Sequence, residues 1–143
     1  MTVVSAKVKI LIMLLLLFCC FVQTEKECHS IVDIAFLIDS SGSIGRRNWE
    51  RIKRFVKALV SKLDVRSSAT HVAAIAYSTN PIVELRFWNS QSTNDVNRVI
   101  DEVPWQRGVT YTDKALQLAD SDLFQVVNGM RPDVPKVQCT KTS

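Results

Sequence analysis

The sequence predicts an α/β fold: a doubly wound, mostly parallel sheet with an antiparallel edge strand, incomplete after the start of the fourth strand. Three observations predict it. Apolar runs at residues 31–38 and 71–77 flank an amphipathic helical pattern over residues 46–63. Strand, long helix and strand in that order require a crossover and parallel pairing. Only Ser78-Thr79-Asn80 separates the second run from the next, residues 81–87, and a link that short permits a hairpin but forbids a crossover. Finally, the first run delivers Asp39-Ser40-Ser41-Gly42-Ser43 at its C-terminal end, where open α/β sheets place their ligand sites.

The elements follow in order. Residues 31–38 are apolar except Asp33, as in a strand buried on both faces. Over residues 46–63, Trp49, Ile52, Phe55, Val56, Leu59, Val60 and Leu63 form one helical stripe. Arg46, Arg47, Arg51, Lys53, Arg54 and Lys57 occupy the opposite face. Residues 71–77 read as the second strand, with His71 a packing residue. The third strand, residues 81–87, alternates Val83, Leu85 and Phe87 with Ile82, Glu84 and Arg86, which suits an edge, and Pro81 is tolerated at its start. Residues 92–103 predict a helix capped by Ser92 or Thr93 and stopped by Pro104. Residues 112–127 predict another, with Ala115, Leu116, Leu118, Ala119, Leu123 and Val126 as its apolar set and Asn128-Gly129 at its end. A rigid linker, Arg131 to Pro135, then leads to a strand opening at Lys136.

Lys7 and Lys9 precede an unbroken apolar stretch, residues 10–22, too short for the roughly 20 residues of a membrane span. A basic start and a short apolar core describe a secretory signal over residues 1–24, with a signal anchor as the rival. The predicted domain occupies residues 31–143, and the expected setting is secreted and extracellular, with no membrane contact after cleavage. Losing Lys7 and Lys9 lowers the formal net charge from +4 to +2, so nucleic acid is not indicated. Cys28 and Cys139 would remain, and secretion permits a disulfide between them. No Asn-x-Ser/Thr sequon occurs.

Asp39, Ser41 and Ser43 alternate, so a looped backbone turns three oxygens toward one point. Oxygen ligands with few carboxylates suit a hard cation such as Mg²⁺, which keeps several of its waters. Such an ion retains positive charge and accepts a Glu or Asp from a partner. The rival reading is a turn held by local side-chain to backbone hydrogen bonds. Ser40 and Gly42 read as spacers, and Gly42 and Gly45 permit the tight loop.

This motif after an apolar strand and before an amphipathic helix resembles the von Willebrand factor type A domain. The resemblance continues through Gly108-Val109-Thr110-Tyr111-Thr112-Asp113-Lys114-Ala115-Leu116 and through residues 128–137, covering nearly all of the chain after residue 30. It implies a metal-ion-dependent adhesion site in which Asp39, Ser41 and Ser43 hold Mg²⁺ directly or through water. Thr110 matches the position that adds an oxygen from a second loop; its rival role is to cap the helix near Thr112. A partner carboxylate would take an open metal position. The family then continues with an apolar fourth strand ending in Thr-Asp-Gly. Here the sequence reads Val137-Gln138-Cys139-Thr140-Lys141-Thr142-Ser143, and Asp133 lies too early to serve. The first strand is therefore expected to be poorly covered on one side.

The expected function is a secreted adhesion module that binds a matrix protein such as collagen. The alternative is a structural matrix component without a working metal site. The basic helix face offers a polyanion contact, with a solvated face as its rival. An enzyme is disfavoured: Ser41 stands where a nucleophile elbow needs Gly, and only His29 and His71 are available as bases.

Overall fold

In the computed structural model of the chain, residues 31–89 and 91–141 are described. The apolar N-terminal stretch, Cys28 and His29 lie outside them. Strand β1 (Asp33–Asp39) leads through a 3-10 turn (Gly42–Ile44) into helix α1 (Gly45–Val60). Strands β2 (His71–Tyr77) and β3 (Pro81–Leu85) follow, then helix α2 (Thr93–Glu102). Helix α3 (Thr112–Leu118) precedes strand β4 (Lys136–Lys141). The sheet order is β3-β2-β1-β4. Strands β2 and β4 run parallel to β1, and β3 is antiparallel to β2, as the short link requires.

The expectation of a poorly covered first strand is corrected. β4 pairs with β1 from Asp33↔Lys136 to Ile38↔Lys141, and β2 pairs along its other side. β1 is thus internal, and all seven of its residues are buried. The edge position passes to β4, whose Lys136, Val137 and Gln138 are exposed.

The continuous apolar run in β1 serves two cores through the two-residue period of a strand. Ile34, Phe36 and Ile38 join Val72, Ala74 and Ala76 beneath α1 and α2, with Trp49, Val56, Val60, Val96 and Ile100. Ala35 and Leu37 join Ala73, Ile75 and Tyr77 beneath α3, with Ala115, Ala119, Leu123 and Phe87. Each fully buried Val, Leu or Ile side chain contributes about 1.5–3 kcal/mol.

Periodicity misassigned both faces of α1 in part. Phe55 and Leu59, from its apolar stripe, are exposed, whereas Lys53, from its charged face, is buried. Lys53 lays its stem against the core and sends its ammonium to the Asp101 carbonyl at 3.3 Å and to Glu50 at 3.3 Å. Phe55 and Leu59 instead line an open apolar groove with Phe36, Ile38 and Cys139, beside β4.

β3 stops at Leu85, two residues early, after a register irregularity at Ala74/Ile75. The Gln91 side chain then takes over as β2's partner, accepting from Val72 N at 2.7 Å and donating to Val72 O at 3.2 Å. Ser92 caps α2 by accepting from Asp95 N at 3.1 Å.

The helix expected over residues 112–127 is shorter. After Leu118 the chain widens into a π turn (Ala119–Leu123), closed by Phe124 N to Ala119 O at 2.8 Å. Arg86 forks onto Asp122 with two 2.8 Å bonds, and Phe124 packs on Phe87, which together draw this turn toward the β3 end of the sheet. Leu116 and Val126, expected in the core, are exposed. A 3-10 turn (Val126–Asn128) ends at Gly129, which adopts φ +91°. A Cβ there would lie 2.5 Å from Trp88 N, so glycine is required.

Asp33 at the start of β1 is 0% exposed. Its carboxylate accepts from Arg131 Nε at 2.8 Å, Nη2 at 2.5 Å and the backbone N–H at 2.8 Å. Asp33 N also donates to Pro135 O at 2.9 Å, so the 131–135 segment is fixed against β1 and sets the β4 register.

Candidate functional site

The site is built from the β1 end outward. The parallel register sets Asp39 beside Tyr77. Ser40 then anchors the turn to β2: its N–H and its hydroxyl donate to Tyr77 O at 2.8 and 3.0 Å. Ser40 is therefore a structural clamp rather than the spacer expected from its position. The anchored turn brings Ser41 N to 2.9 Å from Asp39 Oδ1. Ser41 Oγ and Ser43 Oγ lie 3.1 Å apart. The 3-10 turn feeds α1 through Gly45, at φ +73°, whereas Gly42 has an ordinary φ and lies close to the Gly108 backbone.

A second loop, residues 103–111, is fastened to the first mainly through backbone atoms. Arg107 N donates to Ser40 O at 2.9 Å, and Gly42 N donates to Gly108 O at 3.0 Å. Trp105 Nε1 donates to Ser41 O at 3.0 Å. Gln106 accepts from Ser78 Oγ at 2.9 Å and donates to Ala76 O at 3.4 Å. Val109 N reaches Thr79 Oγ1 and Tyr111 N reaches Ser78 O, both at 3.1 Å. Gly108, at φ +86°, would drive a Cβ to 2.5 Å from Thr79 Oγ1. Thr110 sits between the two anchored residues Val109 and Tyr111. It is exposed, and its hydroxyl has no partner among the described residues. It does not provide a side-chain cap for α3, which begins at Thr112 after Tyr111.

The electrostatics are set by burial. Asp39 is 1% exposed, and no cationic side chain pairs with it among the described residues. Carboxylates taken out of water are ordinarily paired or coordinate a metal. The Tyr77 phenol, fully buried beside it, has its pKa pushed above the ordinary value, chiefly by burial and further by the Asp39 charge. Thr112 opposes that shift, although its geometry falls short of a full hydrogen bond to the phenol.

The donor set fits a small hard cation. Octahedral ligands at about 2.0–2.1 Å from Mg²⁺ stand about 2.9 Å from one another along an edge. Ser41 and Ser43 Oγ are hydrogen-bonded to each other at 3.1 Å, a separation close to such an edge, so both oxygens could face one ion without large movement. Were an ion held here, Asp39 would supply the negative oxygens, and the hydroxyls would orient it without neutralising it. The described residues contain no group of three or more His, Cys, Asp or Glu side chains suited to a metal, so any ion here would rely on hydroxyls and water. Asp133 lies near the start of β1, at the opposite end of the sheet from Asp39.

Nothing in local spacing announced Trp105, Gln106 or Ser40. Their bonds join residues 28 or more positions apart, and most end on backbone carbonyls that every residue carries.

Comparison with known proteins agrees with this layout. The sequence model of the von Willebrand factor type A domain matches residues 33–139. Human (Homo sapiens) cochlin is 37% identical over 113 residues, covering 79% of this chain and 20% of that protein. Von Willebrand factor of Rattus norvegicus is 32% identical over 113 residues, covering 78% and 26%. The collagen alpha-6(VI) chain of Homo sapiens is 33% identical over 114 residues, covering 79% and 5%. The chain thus spans about a quarter or less of each relative's length. Among solved structures, proximal thread matrix protein 1 from the mussel byssus superposes with a TM-score of 0.76 at 23% identity, covering 82% of this chain and 31% of that one. A form of the same protein with a zinc-occupied MIDAS motif gives 0.70 at 24%. At such identities these structures establish the fold alone.

Proposed function

The chain belongs to the von Willebrand factor type A domain family, and from that premise we propose that it is a secreted extracellular binding module. Its cation site comprises Asp39, Ser41, Ser43 and Thr110, and it takes a Glu or Asp carboxylate from a matrix protein. The observation that carries this reading is the Asp39 carboxylate, buried without a cation partner among the described residues, in a turn that also carries the hydrogen-bonded Ser41 and Ser43 hydroxyls. A bound Mg²⁺ would supply a positively charged position with exchangeable waters, open to a partner's carboxylate.

The chain's own residues do the rest. Asp39 contributes one negative charge, which leaves a divalent ion with a single positive charge for the partner. Ser41 and Ser43 present lone pairs from a turn that Ser40 clamps to β2. The Trp105 indole N–H and the backbone N–H of residue 107 tie the Thr110 loop to that turn, so the oxygens of both loops keep a common frame without the Arg107 side chain. The names of the relatives, a collagen chain and a thread matrix protein among them, favour a matrix setting, and collagen is the first partner to test. The binding role is non-enzymatic. His71 lies at the opposite end of β2 from the site, its Nε2 within 3.0 Å of Ser67 O, so it cannot activate Ser43.

A structural matrix component without a working site is the second reading. It is favoured by the Ser41 N–H to Asp39 Oδ1 bond, which holds the turn with no ion. Binding to immobilised collagen, with Mg²⁺, with EDTA and with Asp39→Ala, separates the two. The adhesion reading expects a loss of tenfold or more in both the EDTA and the variant arms. Binding unchanged in both supports the structural reading.

A further inference from the structure

Between the N-terminal turns of α1 and the 103–107 segment lies a cleft of about 260 Å³, lined by Arg46, Trp49, Glu50, Lys53, Trp105 and Arg107. It adjoins the cation loop, because its wall residue Trp105 bonds the Ser41 carbonyl. Three cations face one carboxylate. Lys53 and Glu50 largely answer each other at 3.3 Å. Arg46 and Arg107 have no carboxylate partner among the described residues, and both are exposed. Arg107 is also the one non-glycine residue with positive φ among the described residues, at +62°. That conformation is disfavoured for a residue with a side chain and is held by the Arg107 N to Ser40 O bond. Its guanidinium stacks 4.7 Å from the Trp105 ring centre, poised at the cleft rather than folded onto an acid.

The geometry points to this cleft as a subsite for a second carboxylate of the acidic protein segment whose first carboxylate is received at the cation site. The inference rests on the cation-site reading above. Size and charge choose the occupant. The cleft is smaller than the roughly 300–1,000 Å³ of small-molecule pockets, which suits one acidic side chain. A long polyanion such as a sulfated polysaccharide would need a continuous unpaired basic stripe. The α1 stripe is interrupted, with Lys57 bonded to Asp101 at 2.6 Å and Lys53 to Glu50.

The test is fluorescence anisotropy on the full chain with two labelled peptides, six glutamates against one glutamate among five glutamines. Mg²⁺ is present throughout the main arm. The wild-type chain is expected to bind the six-glutamate peptide about five- to tenfold more tightly than the one-glutamate peptide, beyond the statistical sixfold for its extra carboxylates. Arg46→Gln with Arg107→Asn should remove that increment while leaving one-glutamate binding, Mg²⁺ affinity and melting temperature unchanged. Asn tolerates the left-handed backbone, so the loop is not further strained. No increment in the wild type, or an increment that survives in the double variant, overturns the subsite. Tighter binding of a heparin octasaccharide that the same variant abolishes overturns the protein occupant. The EDTA arm reports on the cation site separately: one-glutamate binding insensitive to EDTA contradicts that site and, with it, the two-point mode.

Discussion

Arg131→Ala is the sharpest test of how the sheet holds its register. The guanidinium supplies two of the three hydrogen bonds that reach the Asp33 carboxylate, at 2.8 and 2.5 Å, and a third to Val32 O at 3.0 Å. Only the backbone N–H of residue 131 would remain for a carboxylate with no exposure. Removing one partner of a buried ion pair costs about 3–5 kcal/mol. At about 4 °C per kcal/mol for a domain of this size, the melting temperature should fall by about 12–20 °C. Thermal melts followed by circular dichroism read this fall directly. Asp33→Asn added to Arg131→Ala should recover part of the loss, because a neutral amide replaces the stranded charge. A loss below about 1 kcal/mol, or no recovery in the double variant, would refute the reasoning, since it would mean that the pair is not desolvated as its burial implies.

Two glycines should separate steric from conformational cost. Gly129→Ala meets Trp88 backbone at 2.5 Å and should destabilise by more than about 2 kcal/mol, whereas Gly45→Ala, with open space around its Cβ, should cost only about 1 kcal/mol of φ strain. Equal denaturation midpoints for the two variants would contradict that difference. Hydrogen bonding from Arg86 holds Asp122 below its ordinary value of 3.8. The folded state therefore binds fewer protons than the unfolded chain as acid is added, so this stabilisation is complete above about pH 4 and is lost as pH falls through the lowered value. Asp122→Asn should cost about 1 kcal/mol at neutral pH and flatten the acid limb of a stability–pH curve, and an unchanged limb would assign acid sensitivity elsewhere.

What the sequence made legible depended on range. Strand β2 occupies the predicted residues 71–77 because a polar segment bounds its apolar run at each end. Asp39, Ser41 and Ser43 were legible as a candidate set because they alternate within one local turn, where Ser41 N bonds Asp39 and the two serine hydroxyls bond each other. Thr110 was reached only through the family resemblance, and its loop is placed by bonds to the Ser40 and Gly42 backbone. Lys53 was misplaced because periodicity assigns a residue by its angle around the helix, while a long stem lets the charge reach the Asp101 carbonyl from an inward position. The end of α3 was missed for a similar reason: Arg86 captures Asp122 from 36 positions away. Asp33 stood out in the sequence as a charge in an apolar strand, yet its partner is 98 positions distant and has no signature of its own.

The central claim, a working cation site on this chain, is tested most directly by calorimetric titration of Mg²⁺ and Mn²⁺ into the wild type, Asp39→Ala and Thr110→Ala. One site per chain in the wild type, lost in Asp39→Ala and weakened about tenfold or less in Thr110→Ala, is the result predicted from one buried carboxylate and one neutral loop oxygen. Absence of binding in a folded wild-type chain, or equal binding in Asp39→Ala, would contradict the account.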